Sequence, residues 1–450
     1  MAESSGPRGQ TFRRGDTGYE AARRAALWNG RLPDRYPAVI VQANDEADVV
    51  KAIELAHRES LRVAVRSGGH SWAGNHLRDG GLLLDVSRLN DVHIDPATMT
   101  AAVGPGRAGH ELDGLLRRHR LFFPVGHCRG VGLGGYLLQG GFGWHSRTLG
   151  PACMSVTAID AVLADGRRVH ASATENADLY WAARGSGPGF FGVVTRFHLR
   201  LHRRPRVIGF ALQHYPIALL EPVFRWAHAV GPEVPPTVEL MLILSHHVLG
   251  IRGPGIVVAA PVFADGWREA LAAVAFMNRC PLRRQASCRW AFVPSGLSPL
   301  FRAVGGHYPT GHRYAVDNMW TGAGIEELLP GLQCIAATLP AAPSHVLWMN
   351  WAPPPDRPDM AYSLEDQTYL ALYAVWRDAQ DDAKFATWPV ERVREMAHLA
   401  TGCQLADENL GQRPARFVAD AHLARLDQLR AERDPAGRFY PWMGRPALND

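Results

Sequence analysis

Arg66-Ser67-Gly68-Gly69-His70-Ser71-Trp72-Ala73-Gly74 is the stretch on which the fold reading turns. It closes a short apolar run at residues 62–66, and its paired glycines permit positive φ and close approach of backbone to a ligand. Small residues in succession leave backbone N–H groups free to surround a pyrophosphate, with His70 beside it. Upstream, Ala38-Val39-Ile40-Val41 reads as a strand, followed by a helix capped near Asn44 or Asp45 that carries Val49, Ile53 and Ala56. Downstream come strands at Leu82-Leu83-Leu84-Asp85 and residues 100–103, then a helix near residues 109–119 with Leu112, Leu115 and Leu116 on one face. The chain therefore begins as an α/β unit whose second strand ends in a ligand-sized turn.

A second glycine cluster follows: Pro124-Val125-Gly126-His127-Cys128-Arg129-Gly130-Val131-Gly132-Leu133-Gly134-Gly135-Tyr136, then Gln139-Gly140-Gly141-Phe142-Gly143. So many glycines admit a large ligand against backbone. Gly130-x-Gly132 with Gly135 imitates the dinucleotide fingerprint, but it lacks a clear preceding strand and a later ribose-binding acid, so a Rossmann site is rejected. By itself, Cys128 reads equally as a small buried hydrophobe or as a thiolate poised by local N–H dipoles.

Residues 156–201 continue as strand, Asp165-Gly166 turn, strand, a short helix around residues 179–183, a glycine-rich turn and an apolar strand at residues 193–199. The basic, proline-containing stretch 201–205 makes a linker. Beyond it, strands (241–243, 256–261, 346–351) mix with a helix at 267–278, and a helix at 417–433 is stopped by Asp434-Pro435 and Gly437. The expected division is 1–205, 206–390 and a C-terminal segment 391–450 that packs back on the first part. No repeat of fixed period and no low-complexity run occurs.

Bulk properties narrow the class. Hydrophobic residues make up 47% and charged residues 20% of the 450 residues, as in ordinary globular chains. The net charge of +5 comes from 48 basic and 43 acidic residues spread along the chain, which argues against nucleic acid as a partner. Six cysteines without a CxxC pair argue against structural zinc and disulfide scaffolds and for a reducing compartment. Residues 1–16 lack an apolar signal core, and no run approaches the ~18 apolar residues of a membrane span, so a cytoplasmic protein is expected.

The two glycine clusters occur in order with Leu179-Tyr180-Trp181-Ala182-Ala183-Arg184-Gly185-Ser186-Gly187 and Phe191-Gly192-Val193-Val194-Thr195. Together they resemble the berberine-bridge-enzyme-like family of FAD-linked oxidases, over nearly the whole chain from Trp28-Asn29 to Asp434-Pro435. The resemblance implies an α+β protein: a PCMH-type FAD-binding domain in two parts, with a separate substrate domain on an antiparallel sheet covered by helices. It implies FAD bonded covalently at its 8α-methyl carbon by His70 and at C6 by Cys128. It also implies cofactor contacts at Arg66, Ser67, Gly68, Gly69, Ser71, Gly74, Gly126, Val131, Gly132, Gly135, Tyr136, Gly140, Gly141, Gly143, Gly192 and Val194. Neutral imidazole and thiolate are suitable nucleophiles toward an electrophilic oxidised ring. Val131 stands where the family's oxygen reactivity is set, and it favours an oxidase over a dehydrogenase.

Three positions depart from the pattern. The C-terminal Tyr-x-Asn that supplies a base in many members reads Gly402-Cys403-Gln404 here, ahead of Leu405-Ala406-Asp407, and Met154 and Phe190 replace an expected acid and asparagine. The base is therefore sought among polar and aromatic residues of the second part, with Tyr314, His312 and Glu365 as candidates. The expected reaction is hydride removal from an alcohol, amine or phenolic small molecule to flavin N5, with molecular oxygen as acceptor and peroxide as by-product. Two readings compete. A metal-dependent hydrolase would use His70, His76, His110, His127 and His145, which lack the spacing of a zinc site. A flavoprotein without turnover would act as a binding module.

Overall fold

The computed structural model describes residues 6–248, 251–354 and 356–445. Val39–Gln42 and Val63–Arg66 run parallel to Leu82–Asp85 between them, and Gln10–Arg13 closes the sheet as an antiparallel edge. The crossover between the parallel strands is the helix Glu46–Arg58, whose Asp45 side chain accepts the Asp48 N–H at 2.9 Å as an N-cap. Val49, Ala52, Ile53 and Ala56 recur at helical spacing and pack onto Val39, Val41, Leu82 and Leu84. All four side chains of Leu82–Asp85 are buried, as a central parallel strand requires.

A five-stranded antiparallel sheet follows, in the order Val92–Asp95, Thr100–Val103, Gly192–Arg200, Val156–Leu163, Arg168–Ser172. A larger seven-stranded antiparallel sheet has the order Cys288–Ser295, Val207–Pro216, Ile251–Ala264, Met241–Val248, His345–Asn350, Thr368–Trp376, Arg313–Thr321. Its alternation makes two cores. Leu242, Leu244, Val346, Leu370 and Leu372 face Val223, Phe224, Leu328, Leu332 and Val393 on the helices Leu220–Val230, Ile325–Thr338 and Trp388–Glu395. Met241, Tyr369, Ala371 and Tyr373 point the other way and join one core with Leu137, Phe197 and other residues of the first part. This α+β arrangement has the antiparallel sheet covered by helices on one face, with the other turned toward the two smaller sheets.

The last segment crosses back. The helix Asp420–Arg433 sends Arg430 to the Gly189 and Phe439 carbonyls at 2.5 and 2.8 Å, and Trp442 Nε1 donates to the Ser186 carbonyl at 2.8 Å. Phe439 forms a parallel bridge with Val63, beside the His70 turn. Local differences from the sequence reading have packing causes. The expected 267–278 helix breaks at Val274 into Trp267–Ala273 and Ala275–Arg279, and Ala270, Ala273, Phe276 and Met277 of the two pieces are buried in the same core. The C-terminal helix begins at Asp420, since Phe417 and Val418 are buried in extended chain. Among the described residues no helix is long and apolar enough to cross a membrane.

Candidate functional site

The two glycine turns meet, and they meet through backbone. A Cβ built on Gly68 would lie 2.5 Å from Gly132 N, and one on Gly132 would lie 2.8 Å from Gly68 Cα, so neither position has room for a side chain. Gly135 N–H donates to Ser67 Oγ at 3.2 Å, and Gly109 N–H donates to the Val131 carbonyl at 3.0 Å, clipping the second turn to the first and to the helix Gly109–Leu116. Arg66 is anchored by Nη1 on Asp85 Oδ1 at 2.9 Å and by Nε on the Ala26 carbonyl at 3.1 Å.

Above this junction runs a groove lined on one side by residues 63–72, Gly126, His127, Cys128, Val131, Gly132, Gly134, Gly135 and Tyr136, with Gly192 and Val194 below. His70 stacks on Trp28 at 5.1 Å, and its Nε2 would lie 3.3 Å from a Cβ on Gly130, whose φ is +83°. The ring opens onto the groove yet is withdrawn from bulk water, which pushes its imidazole down to about 4, and the Arg66 charge acts in the same direction. It is therefore neutral and nucleophilic at ordinary pH. Burial pushes the Cys128 thiol up, and the nearby Asp407 charge adds to this, so the resting group is a thiol rather than a thiolate.

The other lining residues come from the large sheet, from the helix Leu297–Gly305 and the turn after it, and from the chain after the last strand: Met241, Ile243, Val304, His307, Tyr308, His345, Leu347, Tyr369, Tyr373, Gln404 and Asp407. Asp407 accepts three hydrogen bonds, from Trp72 Nε1 at 2.6 Å, Tyr369 OH at 2.5 Å and Tyr373 OH at 2.8 Å. Burial, with the Asp407 charge second, holds both phenols well above their ordinary pKa, so they stay protonated. Asp407 is positioned by Gln404, whose N–H donates to Asn318 Oδ1 at 2.7 Å while Asn318 Nδ2 donates back to its carbonyl at 2.9 Å. A buried Arg413–Asp317 pair stands behind this segment.

Most of the expected cofactor positions converge, but some do not. Gly74, Gly140, Gly141 and Gly143 do not line the groove. Gly141 needs positive φ, +82°, where a Cβ would meet Ala152 and Tyr136 at 2.7 and 3.0 Å. Its neighbours Gly140 and Gly143 are likewise filled by Tyr362 and Tyr136, so these glycines serve packing. The three expected bases also lie off the groove. Glu365 is fully buried and bonded to Arg357, Trp351 Nε1 and Tyr362 OH, a packed ion pair. Tyr314 packs against Trp28 and Trp72 with its hydroxyl committed to the Pro309 carbonyl at 2.6 Å, and His312 leans on the Thr310 carbonyl at 3.4 Å.

Sequence reasoning passed over Asp407, Tyr369, Tyr373 and Arg78. A signal for the tyrosines existed: in Thr-Tyr-Leu-Ala-Leu-Tyr-Ala-Val-Trp, Tyr369 and Tyr373 share a face that alternates with Leu370 and Leu372. The histidines of the hydrolase reading gather into no metal-ligating cluster among the described residues; the group that does is Asp160, His170 and His198 on the five-stranded sheet.

The site fits FAD in its construction. It combines a backbone cradle that any Cβ would fill, the neutral His70 imidazole and the Cys128 thiol on one groove, and half-buried Arg78 at the end near Phe439 and Tyr440, still cationic with its pKa lowered to about 10 by burial.

Residues 37–172 match the family described as FAD binding domain. An FAD-linked oxidoreductase of Hypoxylon pulicicidum, nodO, is 31% identical over 426 residues, spanning 94% of each chain. Among solved structures, 6-hydroxy-D-nicotine oxidase of Arthrobacter nicotinovorans superposes with a TM-score of 0.85 at 23% identity over 98% of both chains. BBE-like 1 of Physcomitrella patens does so with a TM-score of 0.84 at 19% identity, covering 98% of this chain and 97% of its own.

Proposed function

This chain belongs to the FAD-linked oxidoreductases, and we propose that it oxidises a small-molecule alcohol, amine or phenol with FAD attached to both His70 and Cys128 and molecular oxygen as acceptor. The observation that carries this reading is the convergence of His70 and Cys128 on one groove, from turns locked together at Gly68 and Gly132.

When bound there, FAD would supply hydride acceptance, and two ring substituents would raise its potential. The chain's own residues do the rest. Trp28 holds the His70 ring by stacking, and desolvation keeps that ring unprotonated for attachment. The Gly68 and Gly132 backbones would offer N–H groups to the cofactor's phosphates, and Arg78 would add positive charge there. Val131 lines the groove with a small side chain, which supports access for oxygen.

Asp407 replaces the absent C-terminal tyrosine as proton acceptor. A substrate hydroxyl donates to the oxygen of Tyr369 or Tyr373, and that phenol passes its own proton to Asp407 Oδ2. Trp72 Nε1 on Oδ1 keeps the carboxylate oriented toward the two phenols.

Acid denaturation followed by absorbance and peptide mass tests the attachment. Yellow colour remaining on peptides containing His70 and Cys128 is the expected result; a colourless folded protein that takes up no FAD would overturn the assignment.

A further inference from the structure

Resting on the reading above, we infer that the substrate is an uncharged alcohol carried on a mainly apolar, aromatic body, and not a sugar or an organic anion. The groove's floor and its charges lead to this independently.

The floor is built where two strands of the large sheet pair. Ile243 stands directly opposite Leu347, and period-two alternation turns Met241, Ile243 and Leu347 into the groove while Leu242, Leu244 and Val346 face the helices. Val304, from the helix Leu297–Gly305, adds a fourth apolar group. Ile243, Leu347 and Val304 cannot hydrogen-bond, and the Met241 thioether is only a weak acceptor. Each sugar hydroxyl pressed against them loses water without replacement, at a cost of about 1–3 kcal/mol per group. An apolar or aromatic body instead gains from burial and from the edges and faces of Tyr308 and Tyr373, whose rings stand 5.3 Å apart at 86°.

Charge excludes anions. Burial pushes His307 down to about 4 and His345 well below its ordinary value, so both are neutral. Among the described residues, no lysine or arginine lines the end of the groove around Asp407. Of the two arginines of the groove, Arg66 is paired with Asp85, while Arg78 keeps its charge but is held by the Asn75 and Pro441 carbonyls at 2.7 and 2.9 Å, beside Tyr440 at the end assigned above to the cofactor's phosphates. A carboxylate substrate would meet Asp407 and find no counter-ion.

The hydrogen-bond polarity selects a donor. Tyr369 and Tyr373, which line the groove, both spend their hydrogens on Asp407, which leaves their oxygens as acceptors, that of Tyr373 shared with the Tyr308 side chain. His345 Nδ1 lies 3.0 Å from the Pro343 carbonyl, which only accepts, so the proton sits on Nδ1 and Nε2, which has no partner in the protein, is a third acceptor. A substrate hydroxyl suits this set, since its O–H can donate to these acceptors while Gln404 Nε2, a groove-lining amide donor with no partner in the protein, can donate to its oxygen.

The test compares matched probes on the yellow holoprotein under anaerobic conditions: 1-phenylethane-1,2-diol, mandelate and cellobiose, each titrated while flavin absorbance and tryptophan fluorescence are followed. The expected Kd for the diol is at least tenfold lower than for either of the others. Ile243→Asn and Leu347→Asn, with flavin content unchanged, should narrow that ratio. Tighter binding of mandelate or cellobiose, equal binding of all three, or no perturbation by the diol overturns the inference while leaving the flavin reading intact. A protein that never holds flavin overturns the earlier reading instead.

Discussion

The two walls of the groove are made of different material. The wall of residues 66–72 and 126–136 is backbone: its close contacts are main chain to main chain, and glycines supply them. The wall around Asp407 is side chain: three long-range hydrogen bonds join Trp72, Tyr369 and Tyr373 from separate parts of the chain. A backbone wall suits a ligand that never leaves, because its geometry is set by chain conformation and tolerates no added atom. A side-chain wall suits a ligand that turns over, because it can be altered residue by residue without disturbing the fold.

Breaking the backbone wall should have the largest consequence. Gly132→Ala puts a methyl group against Gly68 Cα, where the neighbour is backbone and has nowhere to move. The expected result is loss of nearly all bound FAD and a destabilisation of about 1–3 kcal/mol, read from flavin content and a thermal melt. A yellow Gly132→Ala protein with wild-type stability would show that the turns do not need their contact.

Breaking the side-chain wall should leave flavin in place and remove turnover. For Asp407→Asn we expect kcat to fall by roughly 10²- to 10³-fold with the absorbance spectrum retained. Tyr373→Phe and Tyr369→Phe should each cost less, roughly 10-fold, because one phenol remains on Asp407. If Asp407→Asn loses flavin along with activity, the walls are not separable and the comparison fails.

Acid sharpens the comparison from both sides, since His70 and His307 are each held down to about 4 on opposite walls. A histidine whose folded pKa lies below its unfolded value near 6.5 takes up protons more readily when unfolded. Stability contributed by each ring is therefore present above about pH 6.5 and is lost as pH falls toward about 4. The protein should melt at a lower temperature at pH 5 than at pH 7, and His307→Gln should shrink that gap without changing flavin content.

The smallest effect on activity is expected outside both walls. Glu365→Gln disrupts the buried pair with Arg357, so it should lower stability by about 1–3 kcal/mol in denaturant titration yet leave kcat within twofold. A large fall in kcat would return Glu365 to the list of bases.

The unequal legibility of the walls follows from their construction. Val39–Gln42, Glu46–Arg58 and Leu82–Asp85 were readable within a few residues, because periodicity and an Asp45 cap are local properties. The glycine turns were readable for the same reason: a demand for positive φ or close approach is written at the residue that meets it. The placing of the base candidates was not: Tyr314 and His312 lie against the Pro309 and Thr310 carbonyls, Glu365 accepts from Arg357, Trp351 and Tyr362, and none of the three lines the groove. Gly140, Gly141 and Gly143 show the same limit in reverse, since a glycine that admits a ligand and one that admits a tyrosine ring look identical in a sequence.

By itself, then, the amino-acid sequence determined the α/β opening and the paired glycine turns that carry His70 and Cys128. Only the tertiary structure decided that Asp407, from a short segment after the last strand, receives protons from tyrosines on another element, and that an apolar floor faces it. The physical reason is range: capping, turns and helical faces are decided by atoms a few residues apart, whereas a carboxylate's role depends on which distant side chains the packed sheet delivers to it.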